Sequence, residues 1–237
     1  MKKMRNNLIY PFMIMELCLM LASSCNNPTS TEQKSGGTVT DIDGNVYHTV
    51  KIGTQVWLVE NLKTTKYRNG DPIPTITDDD KWQNTKTGAY CNYNNDANNS
   101  AIYGRLYNWY AVNDYRNIAP IGWHVPTITE WITLITYLNG EDAAYTGPST
   151  AIIKLKEIGT THWQSPNAEA TNETGFTALP GGKFYDRFID FGTDGWWWSS
   201  TEDEPTRARH LTINKYEVDI MKPRLKYEGL SVRCLKD

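Results

Sequence analysis

The sequence predicts an α+β domain, and three observations carry that prediction. Alternating, β-branched stretches with tight-turn signals fill residues 39–62. A helix with complete start and stop signals lies mid-chain. Short strand-like stretches return from about residue 175 to the C-terminus. Strands at both ends with helices between them fit one layered domain whose terminal strands pair.

Each element has a local reason. Asp43-Gly44 is a hairpin-type turn signal, after which Val46, His48, Val50 and Ile52 alternate with Tyr47, Thr49 and Lys51. Gly53-Thr54 makes a second turn, and a further strand runs over residues 56–62. Residues 67–88 carry Gly70-Asp71-Pro72, Pro74, Asp78 to Asp80 and Gly88, and read as loop. Tyr103, Leu106, Tyr107 and Tyr110 recur at helical spacing, which predicts one helix over 102–112. Thr127 and Glu130 form a capping box: the hydroxyl accepts the N3 amide and the carboxylate reaches back to the cap amide. Trp131, Leu134, Ile135 and Leu138 then share a face, and Asn139-Gly140 ends the helix. A shorter helix is expected over 151–158, ending at Gly159. Turns and short strands follow, among them 196–201, 209–213 and 230–235.

The first residues read as an export signal. Lys2, Lys3 and Arg5 precede an apolar stretch, Leu8 to Leu21, shorter than the roughly 20 residues that span a bilayer. Ala22-Ser23-Ser24-Cys25 follows, and a Cys after small residues at that place resembles a bacterial lipobox. The expectation is cleavage after residue 24 and lipidation of Cys25, anchoring the chain in the cell envelope, in the outer membrane. The alternative is an ordinary signal peptide with an incidental Cys25. Residues 25–38 are polar with almost no aliphatic side chain and read as a flexible tether, leaving 39–237 as the folded domain.

Composition narrows the function classes. Twenty-four Lys and Arg against 27 Asp and Glu give a net charge of −3, and the basic residues are scattered, so no nucleic-acid partner is expected. Nine Trp and fourteen Tyr suit a loop-rich extracellular domain in which rings supply the buried area. Once Cys18 leaves with the signal and Cys25 is lipidated, Cys91 and Cys234 remain. In an oxidising compartment they form either one disulfide or two buried thiols, and spacing does not decide between these.

Four groups of residues, taken together, point to a family. They are Val50-Lys-Ile-Gly-Thr-Gln-Val-Trp-Leu-Val-Glu-Asn-Leu62, Tyr103-Gly-Arg-Leu-Tyr-Asn-Trp-Tyr-Ala-Val112, Gly122-Trp-His-Val-Pro-Thr-Ile-Thr-Glu-Trp131, and Trp197-Trp-Ser-Ser-Thr201 with Gly229-Leu-Ser-Val-Arg-Cys234. In this order they resemble the Fibrobacter succinogenes major paralogous domain, from about Thr40 to Asp237. The resemblance implies a C-type-lectin-like fold of irregular antiparallel sheets, two to three helices and long loops, shared in architecture with formylglycine-generating enzymes and with bacterial and phage binding proteins. Family members often carry a Cys where this chain has Ala119, which removes one disulfide partner.

The chemistry favours binding over catalysis. The four His show no metal-ligand spacing, and His124 within Trp123-His-Val-Pro reads as a structural hydrogen-bonding residue. Ser199 and Ser200 lack a Gly-x-Ser-x-Gly elbow. Formylglycine generation needs a pair of Cys near the C-terminus, where only Cys234 stands. Asp96 with Asn94 or Asn98 offers oxygen ligands for calcium, although Asn-rich runs are ordinarily turns. Strand alternation sends Trp197 to one face and Trp196 and Trp198 to the other, so at least one ring is a candidate ligand contact, with core packing as the alternative. Tyr185 and Arg187, in the loop 184–194, are further candidates. The expected function is that of a lipid-anchored envelope protein, not an enzyme, binding a glycan or a protein; the alternatives are a structural envelope lipoprotein or adhesin subunit, and, further off, an uncharacterised hydrolase.

Overall fold

The computed structural model describes residues 36–140, 146–147, 149–220 and 222–237. The expected signal peptide, Cys25 and most of the tether lie outside these residues. In chain order the elements are β1 (Thr38–Thr40), β2 (Val46–Ile52), β3 (Gln55–Leu58), α1 (Asp79–Asn84), β4 (Tyr90–Cys91), α2 (Ala97–Tyr103), β5 (Leu106–Tyr107), α3 (Trp109–Val112), β6 (Trp123–His124) and α4 (Ile128–Asn139). There follow β7 (Thr146–Gly147), α5 (Thr150–Leu155), β8 (Gly181–Phe184), β9 (Phe188–Phe191), β10 (Gly195–Glu204), β11 (Arg207–Ile213), β12 (Val218–Asp219), β13 (Arg224–Leu225) and β14 (Leu235–Lys236). The α+β class is therefore as expected. No helix of the described residues is long and apolar enough to cross a membrane.

The two ends of the domain share one antiparallel sheet, ordered β1-β2-β3-β14-β6. Leu235 stands opposite both Trp57 and His124. The terminal strands thus pair, and the His124 ring clamps the joint: Nδ1 lies 2.8 Å from Asp237 Oδ1 and Nε2 lies 3.0 Å from Glu130 Oε1. A second sheet runs β10-β11-β12-β7, with β13 on the other part of β11. Two hairpin-like pairs, β4-β5 and β8-β9, complete the strands.

Both faces of β2 contribute buried residues, although Val46, His48 and Lys51 stay exposed. Tyr47 enters a core with Leu58, Tyr107, Trp109, Trp198 and Cys234, whereas Val50 and Ile52 enter another with Trp57, Trp131, Phe176 and Trp197. The period-2 pattern of a strand sorts neighbours onto opposite faces, and here each face meets its own core. In the second core Trp57 stacks on Trp131 at 4.5 Å between ring centroids. A third, smaller core gathers Trp82, Cys91, Tyr93, Leu106 and Phe184. Burying a large apolar side chain contributes about 1.5–3 kcal/mol, so the rings carry much of the stability.

Helix α4 forms as expected. Thr127 Oγ1 accepts the Glu130 amide, the Glu130 carboxylate accepts the Thr127 amide, and Trp131, Leu134, Ile135 and Leu138 are buried. Burial acts to raise Glu130, yet the Thr127 bonds and His124 outweigh it and hold the carboxyl below its usual value.

Three local expectations are corrected. The single helix over 102–112 is broken into α2, β5 and α3. Gly104, with φ +78°, caps α2, and a Cβ there would lie 2.6 Å from Asn61 Cβ and 2.8 Å from Leu62 O. The positive φ and close approach stop the helix where apolar spacing alone would continue it. The Asp-rich stretch is not all loop, because Asp78 caps α1 by accepting the Lys81 amide at 2.8 Å. Helix α5 ends at Leu155, since Lys156 bridges to Ala178 in place of continuing.

Candidate functional site

The site is built on the β8–β9 hairpin. Phe184 and Phe188 pack edge to face at 4.9 Å, and Trp82 and Tyr93 pack against them, fixing the hairpin on the third core. Gly182, at φ +62°, admits the close return of β9: a Cβ there would lie 2.5 Å from Ile189 O. The tip residues Tyr185, Asp186 and Arg187 are exposed. Tyr185 stacks on Tyr227 with centroids 5.9 Å apart and planes 19° from parallel.

Beside this pair opens a cleft of about 200 Å³ lined by Lys183, Tyr185, Arg207, Pro223, Arg224, Leu225 and Glu228. Strand pairing places the lining. Ala208 stands opposite Arg224 and Arg207 opposite Leu225 in the β11–β13 ladder, while Lys183 comes from β8. The Lys183 side chain is buried and its Nζ lies 3.4 Å from Glu228 Oε2. Burial lowers the Lys183 amine, Glu228 works against that, and Arg224 adds to it.

Trp196 forms the support of this cluster. Lys183 Nζ lies 3.9 Å and Arg224 Cζ 4.6 Å from its ring centre, and His210 stacks on it at 5.4 Å. Cations over an indole face are attracted by its quadrupole. His210 is pushed down to about 3, first by burial and then by the charge of Arg224, with Lys183 adding to it.

The tryptophan expectation divides. Trp197 goes to one core and Trp196 and Trp198 to another, as alternation requires. None is a surface ring, which corrects their assignment as ligand contacts: Trp196 is 6 % exposed and Trp197 and Trp198 are fully buried. The physical reason is that cores cover both faces of β10. Trp197 and Trp198 also spend their indole N–H groups inside, on Asn61 Oδ1 at 2.8 Å and Tyr107 O at 2.7 Å. Tyr185 does reach the cleft, whereas Arg187 is exposed on the hairpin tip outside its lining. Strands β10 and β11 join in a tight hairpin closed at Pro205-Thr206 and pinned by Lys226 Nζ, which donates to Glu202 Oε1 at 2.6 Å and Pro205 O at 2.9 Å.

The candidate calcium ligands Asn94, Asp96 and Asn98 lie just before and at the start of α2. Asp96 Oδ1 accepts the Asn98 amide at 2.9 Å and caps α2, while Asn94 occupies a left-handed turn at φ +53°. Among the described residues no group of three or more His, Cys, Asp or Glu is placed to hold a metal. Of the two alternatives, Cys91 and Cys234 are unbonded, buried thiols and not a disulfide. They belong to different cores, Cys91 with Trp82 and Cys234 with Ala119 and Trp123.

Sequence reasoning missed Lys183, Arg207 and Arg224. The one available signal was Lys183 itself, a cation inside a stretch, Gly-Gly-Lys-Phe, that packs into the core. A second cleft, of about 250 Å³, was also missed. It is lined by Lys156, Trp163, Asp194, Asn214 and Tyr216 among others. Burial lowers the Lys156 amine to about 8, against the pull of Asp194, and its Nζ sits 3.8 Å from the Trp163 ring centre.

Fold and site together define an α+β domain of irregular antiparallel sheets that presents a polar, tyrosine-rimmed cleft over a tryptophan core. The family model described as the Fibrobacter succinogenes major domain matches residues 50–236. The chain belongs to that family. Comparison with curated proteins and with solved structures gives no match.

Proposed function

We propose that this chain is a lipid-anchored cell-envelope binding protein whose lectin-like domain recognises a glycan or protein ligand at the cleft beside Tyr185. One observation carries the reading: a partly exposed tyrosine, stacked on a second, rims a concavity lined with charged side chains. Ligand sites pair apolar ring area with a few converging polar groups, and tyrosine supplies a rigid apolar face with a polar tip. The joining of the two ends of the domain in one sheet supports the lectin-like reading of the fold. The N-terminal signal and Cys25 support the envelope anchor. His124 supports binding over catalysis, since both of its ring nitrogens are engaged by carboxylates that join α4 to the C-terminus.

The test is a glycan array and a pull-down from envelope extracts, run with the domain and with Tyr185→Ala. Binding to a glycan or a protein that the variant loses is expected. Retention of neither class of ligand by the parent domain would overturn the proposal.

A further inference from the structure

We infer that the cleft beside Tyr185 takes an acidic sugar, with a carboxylate or sulfate seated between Arg207 and Arg224. This deepens the binding reading above and rests on it.

Three cationic side chains, Lys183, Arg207 and Arg224, line the cleft with a single carboxylate, Glu228. Glu228 is committed: one oxygen lies 3.4 Å from Lys183 Nζ and the other accepts the Leu225 amide at 3.2 Å. Asp190, the other carboxylate that acts on Lys183, is not part of the lining. Arg207 and Arg224 form no ion pair with any carboxylate of the described residues, although other arginines of the chain do, as Arg116 does with Asp114 and Arg209 with Asp203. The nearby cations that help keep His210 neutral register the same positive field from inside the core.

The second observation is independent of charge counting. Arg224 Nε is buried and has no hydrogen-bond partner. A buried donor left unpaired is unfavourable by about the desolvation of the group, and such groups in folded proteins ordinarily mark a missing partner. An oxyanion satisfies guanidinium donors in a planar, paired arrangement that a neutral hydroxyl cannot match. The stacked Tyr185 and Tyr227 at the rim offer the apolar face that a pyranose ring covers. Guanidinium donors and ring faces together favour an acidic sugar over a bare anion or a lipid headgroup, which would use the charge alone.

The experiment is titration calorimetry of the domain with a trigalacturonate, a heparin-derived hexasaccharide, neutral maltohexaose, inorganic sulfate and phosphatidylglycerol vesicles. Binding of the trigalacturonate or the hexasaccharide is expected, the two arms separating carboxylate from sulfate. Affinity should fall as salt rises, and it should fall at least about tenfold in Arg224→Gln. Because Arg207 is exposed, Arg207→Gln keeps the fold and should also weaken binding by several fold. Tyr185→Ala should lower affinity for either oligosaccharide while leaving any sulfate binding unchanged. Maltohexaose bound as tightly as the acidic sugars would overturn the inference and leave the broader binding reading standing. Equal affinity for the vesicles, acidic-sugar binding indifferent to both arginine variants, or no binding of either acidic sugar would overturn it as well. Failure of every glycan and every envelope protein would remove both readings.

Discussion

Arg233 donates two hydrogen bonds to one acceptor: Nε lies 3.0 Å and Nη2 2.7 Å from Asn61 Oδ1, and both side chains are buried. The same oxygen accepts the Trp197 indole, and the Asn61 amide donates to Tyr103 O at 2.8 Å. Arg233 Nη1 donates to Phe176 O. One neutral amide therefore joins β10, the C-terminal segment and the end of α2 around a buried cation. Burial pulls Arg233 down to about 9, with Glu60 opposing.

Removing that amide should be severe. Asn61→Leu keeps the volume but strands a charge and an indole donor, and leaving a buried charge without its partner is unfavourable by about 3–5 kcal/mol. Arg233→Met removes the charge along with its desolvation and should destabilise less. Urea unfolding of the two variants checks the order; an Asn61→Leu protein within about 1 kcal/mol of the parent would contradict the account.

His210 should make the domain acid-sensitive. Its folded value is about 3 against an ordinary 6.5, with burial the main cause. Between those limits the unfolded chain takes up a proton that the folded chain refuses, so stability falls as pH falls from 6.5 toward 3 and is unaffected by this group above that window. The contribution is on the order of a few kcal/mol. His210→Gln lacks that proton uptake, so its stability should decline less steeply across the same range. Parallel slopes in unfolding titrations at pH 7, 5 and 4 would refute the assignment.

Cys91 and Cys234 should be silent in the folded domain. Burial raises both thiols well above the usual range, and the thiolate is the reactive form. Iodoacetamide should label neither in native buffer and both after denaturation, read by intact mass. A mass two hydrogens short and resistant to labelling after denaturation would instead show a disulfide.

The α4 cap should be worth about 1 kcal/mol. Thr127→Ala loses the hydroxyl that accepts the Glu130 amide at 3.3 Å and bonds its carboxylate at 2.9 Å. Thr127→Ser should retain most of the stability. Equal melting temperatures for the alanine and serine variants would show that the box contributes nothing.

At the N-terminus, Cys25→Ala should abolish incorporation of radiolabelled palmitate and release the protein from the membrane fraction. Membrane retention of an unlabelled variant would place the anchor elsewhere.

The legible parts of the chain were those whose cause is local. The Thr127–Glu130 box, the turn at Asp43-Gly44 and the alternation of Trp196, Trp197 and Trp198 each follow from groups within a few residues of one another. The candidate site was legible only through Tyr185. Lys183, Arg207 and Arg224 lie on three different strands, and nothing near any one of them signals the other two.

The sequence by itself determined the α+β class, the family, and the sorting of strand neighbours onto opposite faces, because backbone periodicity and capping act over a turn or a pleat. Only the tertiary structure decided that both faces of β10 are covered, that Cys91 and Cys234 lie in separate cores, and that Arg207 and Arg224, in no ion pair with a described carboxylate, stand beside a stacked tyrosine pair. Those outcomes depend on which distant segments arrive against a given surface, and burial and the charges those segments bring decide what each side chain then meets.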